Sequence, residues 1–108
     1  MDGIYAVRFK AGNMEAGSGV AVVDGVSVRG GDASYYYKGT LGKDGSAVSG
    51  TLRIHHHTGP LNSIFGPVKE FGLALTGTVQ DGTLRLQGHV EGMPQQRIAV
   101  EGRKVSDL

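Results

Sequence analysis

Apolar side chains fall on every second position along almost the whole chain, and glycine repeatedly stands in the apolar slot. Tyr5, Val7 and Phe9 alternate with polar or small residues. Val48, Gly50, Leu52, Ile54 and His56 share one face of a second such segment. Phe71, Leu73, Leu75, Gly77 and Val79 make a third, followed by Leu84, Leu86, Gly88 and Val90, and then by Ile98, Val100 and Gly102. A period of two places successive side chains on opposite faces of a strand, so these segments are strands with one buried face. The chain carries 19 glycines in 108 residues, with no collagen period. Inside strands, glycine marks bends, bulges and barrel corners. A strongly curved sheet is therefore expected.

The turns divide the chain into eight short strands. Gly12-Asn13 follows the first. Val20 to Val23 runs into Asp24-Gly25, and Val26 to Arg29 stops at Gly30-Gly31-Asp32. Tyr35 to Leu41 leads to Asp44-Gly45, and Ala47 to His57 precedes a loop, Thr58 to Val68, that holds Gly59-Pro60 and Gly66-Pro67. Asp81-Gly82 joins the sixth and seventh strands. Gly92-Met93-Pro94 breaks the seventh, and the eighth ends in a polar tail. Asp-Gly favours the positive φ angles of tight hairpins. Strands at this spacing predict a meander, and closure into an antiparallel up-and-down barrel would leave no exposed edge. A two-sheet sandwich is the alternative. No segment keeps a helical period beyond one turn near Leu61 to Phe65. The length fits one domain, residues 1–108.

Eleven basic and ten acidic residues, a net charge of +1, are scattered along the sequence. No basic run is available to neutralise a phosphate backbone or an anionic membrane surface, so neither partner is expected. The absence of cysteine excludes thiol chemistry and disulfides, and the opening Met1-Asp2-Gly3-Ile4-Tyr5 does not read as a secretory leader. A cytoplasmic protein is the expectation.

Few residues offer chemistry. His55 and His57 would lie on one side of a strand, about 6.6 Å apart, and are the weak candidates for a metal. A third ligand would have to come from His89 or Glu91. No serine sits in a nucleophile elbow; Gly17-Ser18-Gly19 lacks the strand–turn–helix setting. No enzyme activity, cofactor or metal is therefore expected. Tyr35, Tyr36 and Tyr37 place two rings on one face and one on the other. They either pack the two faces of the sheet or offer Tyr35 and Tyr37 to a partner. Leu61, Ile64 and Phe65 in the long loop either plug the barrel end or contact another chain.

The stretch Gly30-Gly31-Asp32, then Tyr37, Gly39 and Leu41, resembles the GrlR family of negative regulators of type III secretion gene expression. The opening Asp2-Gly3-Ile4-Tyr5 with Phe9, and His89-Val90-x-Gly92 near the end, are similar to it as well. The resemblance implies a small lipocalin-like barrel that dimerises and inhibits a transcriptional activator by binding it, without contacting DNA. It also implies an activator contact through an acidic loop after the Tyr-x-Gly strand. Here that loop reads Gly42-Lys43-Asp44-Gly45-Ser46, so Lys43 and Asp44 stand where the acidic run would be. The expected function is a homodimeric adaptor or negative regulator that binds a protein through Tyr35, Tyr37, Lys43, Asp44, Leu61, Ile64 and Phe65. The alternative is a carrier of a small apolar ligand, for which interior glycines would leave room.

Overall fold

The computed structural model describes residues 1–59 and 68–108. They form eight strands: β1 (Gly3–Ala11), β2 (Met14–Asp24), β3 (Ser27–Gly31), β4 (Tyr35–Asp44), β5 (Ala47–His56), β6 (Glu70–Gln80), β7 (Thr83–Val90) and β8 (Met93–Ser106). Each pairs antiparallel with the next, and β1 pairs with β8, so the sheet closes into an up-and-down barrel in sequence order. The barrel is thus the expected one, and the sandwich is excluded. Closure pairs every strand on both sides over part of its length, while residues 14–19 of β2 and 93–98 of β8 pair on one side alone.

The alternation read from the sequence is the inside–outside alternation of the barrel. Tyr5, Val7, Phe9, Val48, Leu52, Ile54, Leu73, Leu75, Leu84, Leu86, Val90, Ile98 and Val100 are all buried in one core. Each such side chain is worth roughly 1.5–3 kcal/mol when taken out of water. No polar or charged residue of the described chain is buried. Arg8, Lys38, Arg53 and Arg85 lie mid-strand on the outside. This polarity is the reverse of a lipid-embedded barrel, which is apolar outside and polar within.

Interior glycines let the wall bend. A Cβ on Gly77 would lie 1.8 Å from the carbonyl oxygen of Arg85, and one on Gly88 1.7 Å from that of Ala74. The neighbouring strand backbone occupies the space that a side chain would need, so only glycine fits at these two corners.

The hairpins refine the turn reading. At Asp81-Gly82 both residues have positive φ, 53° and 75°, as a two-residue Asp-Gly loop requires. At Asp24-Gly25 and Asp44-Gly45 the aspartate instead ends its strand. Glycine takes the first loop position, with φ 63° in both cases. β8 also departs from expectation. It begins at Met93 and runs to Ser106, through the Pro94 read as a break and the tail read as irregular. β1 joins β8 only from Ala99 onward, so Pro94 lies where β1 requires no amide hydrogen from it. β2 likewise starts at Met14. Its first residues, Glu15-Ala16-Gly17-Ser18-Gly19, are too poor in apolar side chains to show a period.

Candidate functional site

The two ends of the barrel are built differently. At the end carrying the β2–β3, β4–β5 and β6–β7 hairpins, aromatic and aliphatic side chains fill the interior. The void left among Tyr5, Val23, Val28, Leu41 and Leu84 is about 20 Å³, hardly more than one water. Tyr5 closes this end by donating its hydroxyl to the Met1 carbonyl at 2.8 Å. At the opposite end the described residues leave space in the interior. A cavity of about 280 Å³ is walled by Phe9, Ile54, Phe71, Leu73 and Ile98, with Ala16 to Ser18 of β2 and the β3–β4 turn at its rim.

That turn is organised by one carboxylate. Oδ1 of Asp32 accepts the backbone N–H of Ser34 and of Tyr35, each at 2.9 Å, while its Oδ2 accepts the Tyr37 hydroxyl at 2.6 Å. The Asp32 N–H in turn donates to the Tyr35 carbonyl at 2.9 Å. The two side-chain bonds from Oδ1 hold the chain reversal, and the third pins Tyr37 across the interior, edge-on to Phe9 with ring centroids 5.1 Å apart. Burial, the bond to Asp32 and the charge of that carboxylate all keep the Tyr37 hydroxyl protonated far above the ordinary tyrosine range. Gly30 and Gly39 let neighbouring strands approach closely. A Cβ at Gly30 would meet the Val20 carbonyl at 2.2 Å, and one at Gly39 the Thr51 carbonyl at 2.1 Å. Of the residues that carry the resemblance, Gly30, Gly31, Asp32 and Tyr37 lie at this end of the barrel, while Gly39 sits between Val28 and Leu52, toward the filled end.

The three tyrosines separate by face. Tyr35 and Tyr37 are 9% and 3% exposed and turn inward, which removes both from any partner-facing surface. Alternation dictates this, because the core-facing residues of β4 are the odd-numbered ones, through Leu41. Tyr35 lines the cavity, packs edge-on against His56 and Phe71, and has a buried hydroxyl without a hydrogen-bond partner among the described residues. Tyr36 is the outward ring, 39% exposed, and stacks flat on His55 with centroids 4.8 Å apart.

The strand register assembles around Tyr36 a surface that the scattered charges concealed. Val20, Gly31, Tyr36 and His55 form one cross-strand row. The next row is Val22, Arg29, Lys38 and Arg53. Arg53 pairs with Glu70 and also lies 3.6 Å from Glu91; its hydrogen bond holds Glu70 below the usual carboxylate range. Arg29 and Lys38 are directly opposed, exposed, and without an ion-pair partner among the described residues. Like charges facing across strands are unfavourable. The result is a basic face with one aromatic ring and two valines beside it. Residues spread from position 20 to position 55 build it, so only the register reveals it.

The other candidates are placed as follows. His55 lies 3.8 Å from Glu70, whereas the Nε2 of His57 meets the Asp32 carbonyl at 3.1 Å. No group of three metal-ligating side chains converges among the described residues. Lys43 and Asp44 are exposed at the β4–β5 hairpin, the end away from the cavity. Leu61, Ile64 and Phe65 fall outside the described residues. No helix among the described residues is long and apolar enough to cross a membrane.

Fold and site together define a closed, eight-stranded antiparallel barrel with a cavity at one end and a basic, aromatic face on its wall. The chain matches no known family profile and no curated protein.

Proposed function

We propose that this chain is a non-enzymatic regulatory protein that binds a protein partner with an acidic surface, in keeping with the negative regulators it resembles. The observation that carries the reading is the Arg29–Lys38 couple beside Tyr36, which has no ion-pair partner among the described residues. Two facing cations are a cost to the free barrel that an acidic partner would relieve, and an exposed aromatic ring supplies contact area at low entropic cost. In the family resembled, the regulator brings the acidic residues. Here the charge is on the opposite side of the bargain, so the partner differs from the activator that the resemblance implies. Cytoplasmic location and self-association into a homodimer belong to the same reading.

Affinity capture from a lysate of the source organism tests it. The wild-type chain should retain a discrete acidic protein that is released by raising the salt concentration, and Arg29→Glu/Lys38→Glu should lose it. Retention of nucleic acid instead of protein, or equal capture by wild type and variant, would refute the reading.

The cavity favours a second role, that of a carrier for a small apolar molecule. A roughly 150 Å³ cavity lined by apolar side chains takes up benzene. The space of about 280 Å³ suits a molecule of two fused rings.

A further inference from the structure

We propose that the slot between the first half of β2 and the β3–β4 turn binds an extended, basic protein segment, which adds to β2 as a strand and places one large apolar side chain in the cavity. β2 has 11 residues and β3 has 5, and their pairing stops at Val20 and Gly31. Residues 14–19 are held by β1 alone, and the backbone groups they turn away from β1 have no hydrogen-bond partner among the described residues. A row of unpaired N–H and C=O groups is a template for a further strand. The one-sided stretch of β8 is blunted by Pro94 and Arg97. Residues 14–19 contain no proline, and their one charge, Glu15, is paired with Arg8.

The same stretch borders the cavity. Ala16, Gly17 and Ser18 form one side of the rim, and Asp32, Ala33 and Ser34 form the other. A strand laid in the slot passes over the opening, and alternation turns every second side chain toward the interior. Ser18, Asp32 and Ser34 make the rim polar, while the core residues Phe9, Leu73 and Ile98 make the floor apolar. A peptide backbone carrying an apolar side chain presents the same order. The space of about 280 Å³ has room for an indole. Charge sets the flanks of the segment. Residues 11–19 and 30–37 carry the two carboxylates of Glu15 and Asp32 and no cation. Asp32 accepts three hydrogen bonds but has no ion-pair partner among the described residues. A lysine or arginine beside the anchor would meet that carboxylate at a partly buried rim. The slot and the basic wall therefore prefer opposite charges and take different segments.

The chain has no tryptophan, so the emission of a tryptophan peptide reports its own surroundings. The probe is the peptide Lys-Val-Trp-Val-Lys, blocked at both ends. It is compared with a version methylated at the tryptophan backbone nitrogen, a version methylated at both valine nitrogens, a version with glutamate for both lysines, and free indole. The parent peptide should bind the wild-type protein with a blue shift of its emission. A strand turns successive backbone N–H groups to opposite sides, so one methylated peptide should bind about tenfold more weakly or worse and the other within about threefold of the parent. The glutamate peptide should bind about fivefold more weakly or worse, with the gap closing at high salt. Equal affinity of the parent and both methylated peptides would show that no strand is added and would overturn the inference. Binding of indole without binding of the parent peptide would overturn it and leave the carrier reading standing. Failure of both to bind would refute both. A stable dimer that the parent peptide neither enters nor dissociates would assign the edge to a second copy of the chain and overturn the inference as well.

Discussion

Alanine in place of Gly77 or Gly88 should destabilise the barrel by about 3 kcal/mol or more, the upper end of what overpacked interiors show. The added methyl group would sit 1.8 Å from the Arg85 carbonyl oxygen in the first case and 1.7 Å from the Ala74 oxygen in the second. Neither obstacle is the flexible end of a side chain. The strand itself must move, and the strand on its far side is held by the closed ladder. Gly42→Ala supplies the contrast, because its methyl group would lie 3.9 Å from the nearest atom, the Ser49 carbonyl. That change should be neutral or slightly stabilising, since alanine removes backbone freedom from the unfolded chain. Urea unfolding of the three variants checks the order. Equal losses for Gly42 and Gly88 would show that strand propensity, and not the bend, explains the glycines.

Asp32→Ala should cost roughly 3–4 kcal/mol, by removing three hydrogen bonds at once and leaving the Tyr37 hydroxyl without its acceptor. The expected fall in melting temperature is about 12–20 °C for a chain of this size. The same unit has a pH signature. In the fold, Tyr37 titrates far above its ordinary value of 10.0, through burial first and Asp32 second. The unfolded chain therefore binds fewer protons than the folded one once the pH passes about 10, and stability must fall as pH rises. The slope attributable to Tyr37 is about 1.4 kcal/mol per pH unit. Tyr5, also raised by burial, adds to the alkaline loss. Tyr37→Phe should therefore flatten the alkaline limb by the share of one proton and leave that of Tyr5. Parallel limbs in wild type and Tyr37→Phe would mean that Tyr37 is not held protonated by the fold.

How far the sequence could be read depended on where apolar side chains were dense. β1, β5, β6 and β7 each carry a regular apolar face, and the alternation there is the observed burial. The first half of β2 was opaque because glycine and small polar residues give no period, and the pairing with β1 alone makes it a strand. Pro94 looked like a stop because a proline within a strand is normally excluded. It is tolerated here because its neighbour on one side is missing from the ladder. The Gly-Gly-Asp stretch was legible as a turn. That its aspartate holds Tyr37 was not, because nothing in the sequence aims a side chain five residues onward.

The site was less legible than the fold. Alternation alone placed Tyr36 opposite Tyr35 and Tyr37, but which face was inside needed the rest of β4. The Arg29–Lys38 couple depends on the register of β3 against β4, a quantity that periodicity leaves free. The cavity depends on how eight interior faces add up, and no local pattern states that sum. Tyr35 illustrates the consequence: one of its two readings offered it to a partner protein, and it lies instead inside the barrel, along the cavity.

The claim that this barrel regulates through its basic, aromatic face is tested most directly by transcript profiles of the source organism. Three strains are needed: wild type, a deletion of the gene, and an allele carrying Arg29→Glu, Lys38→Glu and Tyr36→Ala, shown to be expressed and folded. The account predicts that the deletion raises a defined set of transcripts and that the triple substitution raises the same set. A triple-substituted strain with the wild-type profile, beside a deletion that differs from it, would contradict the account.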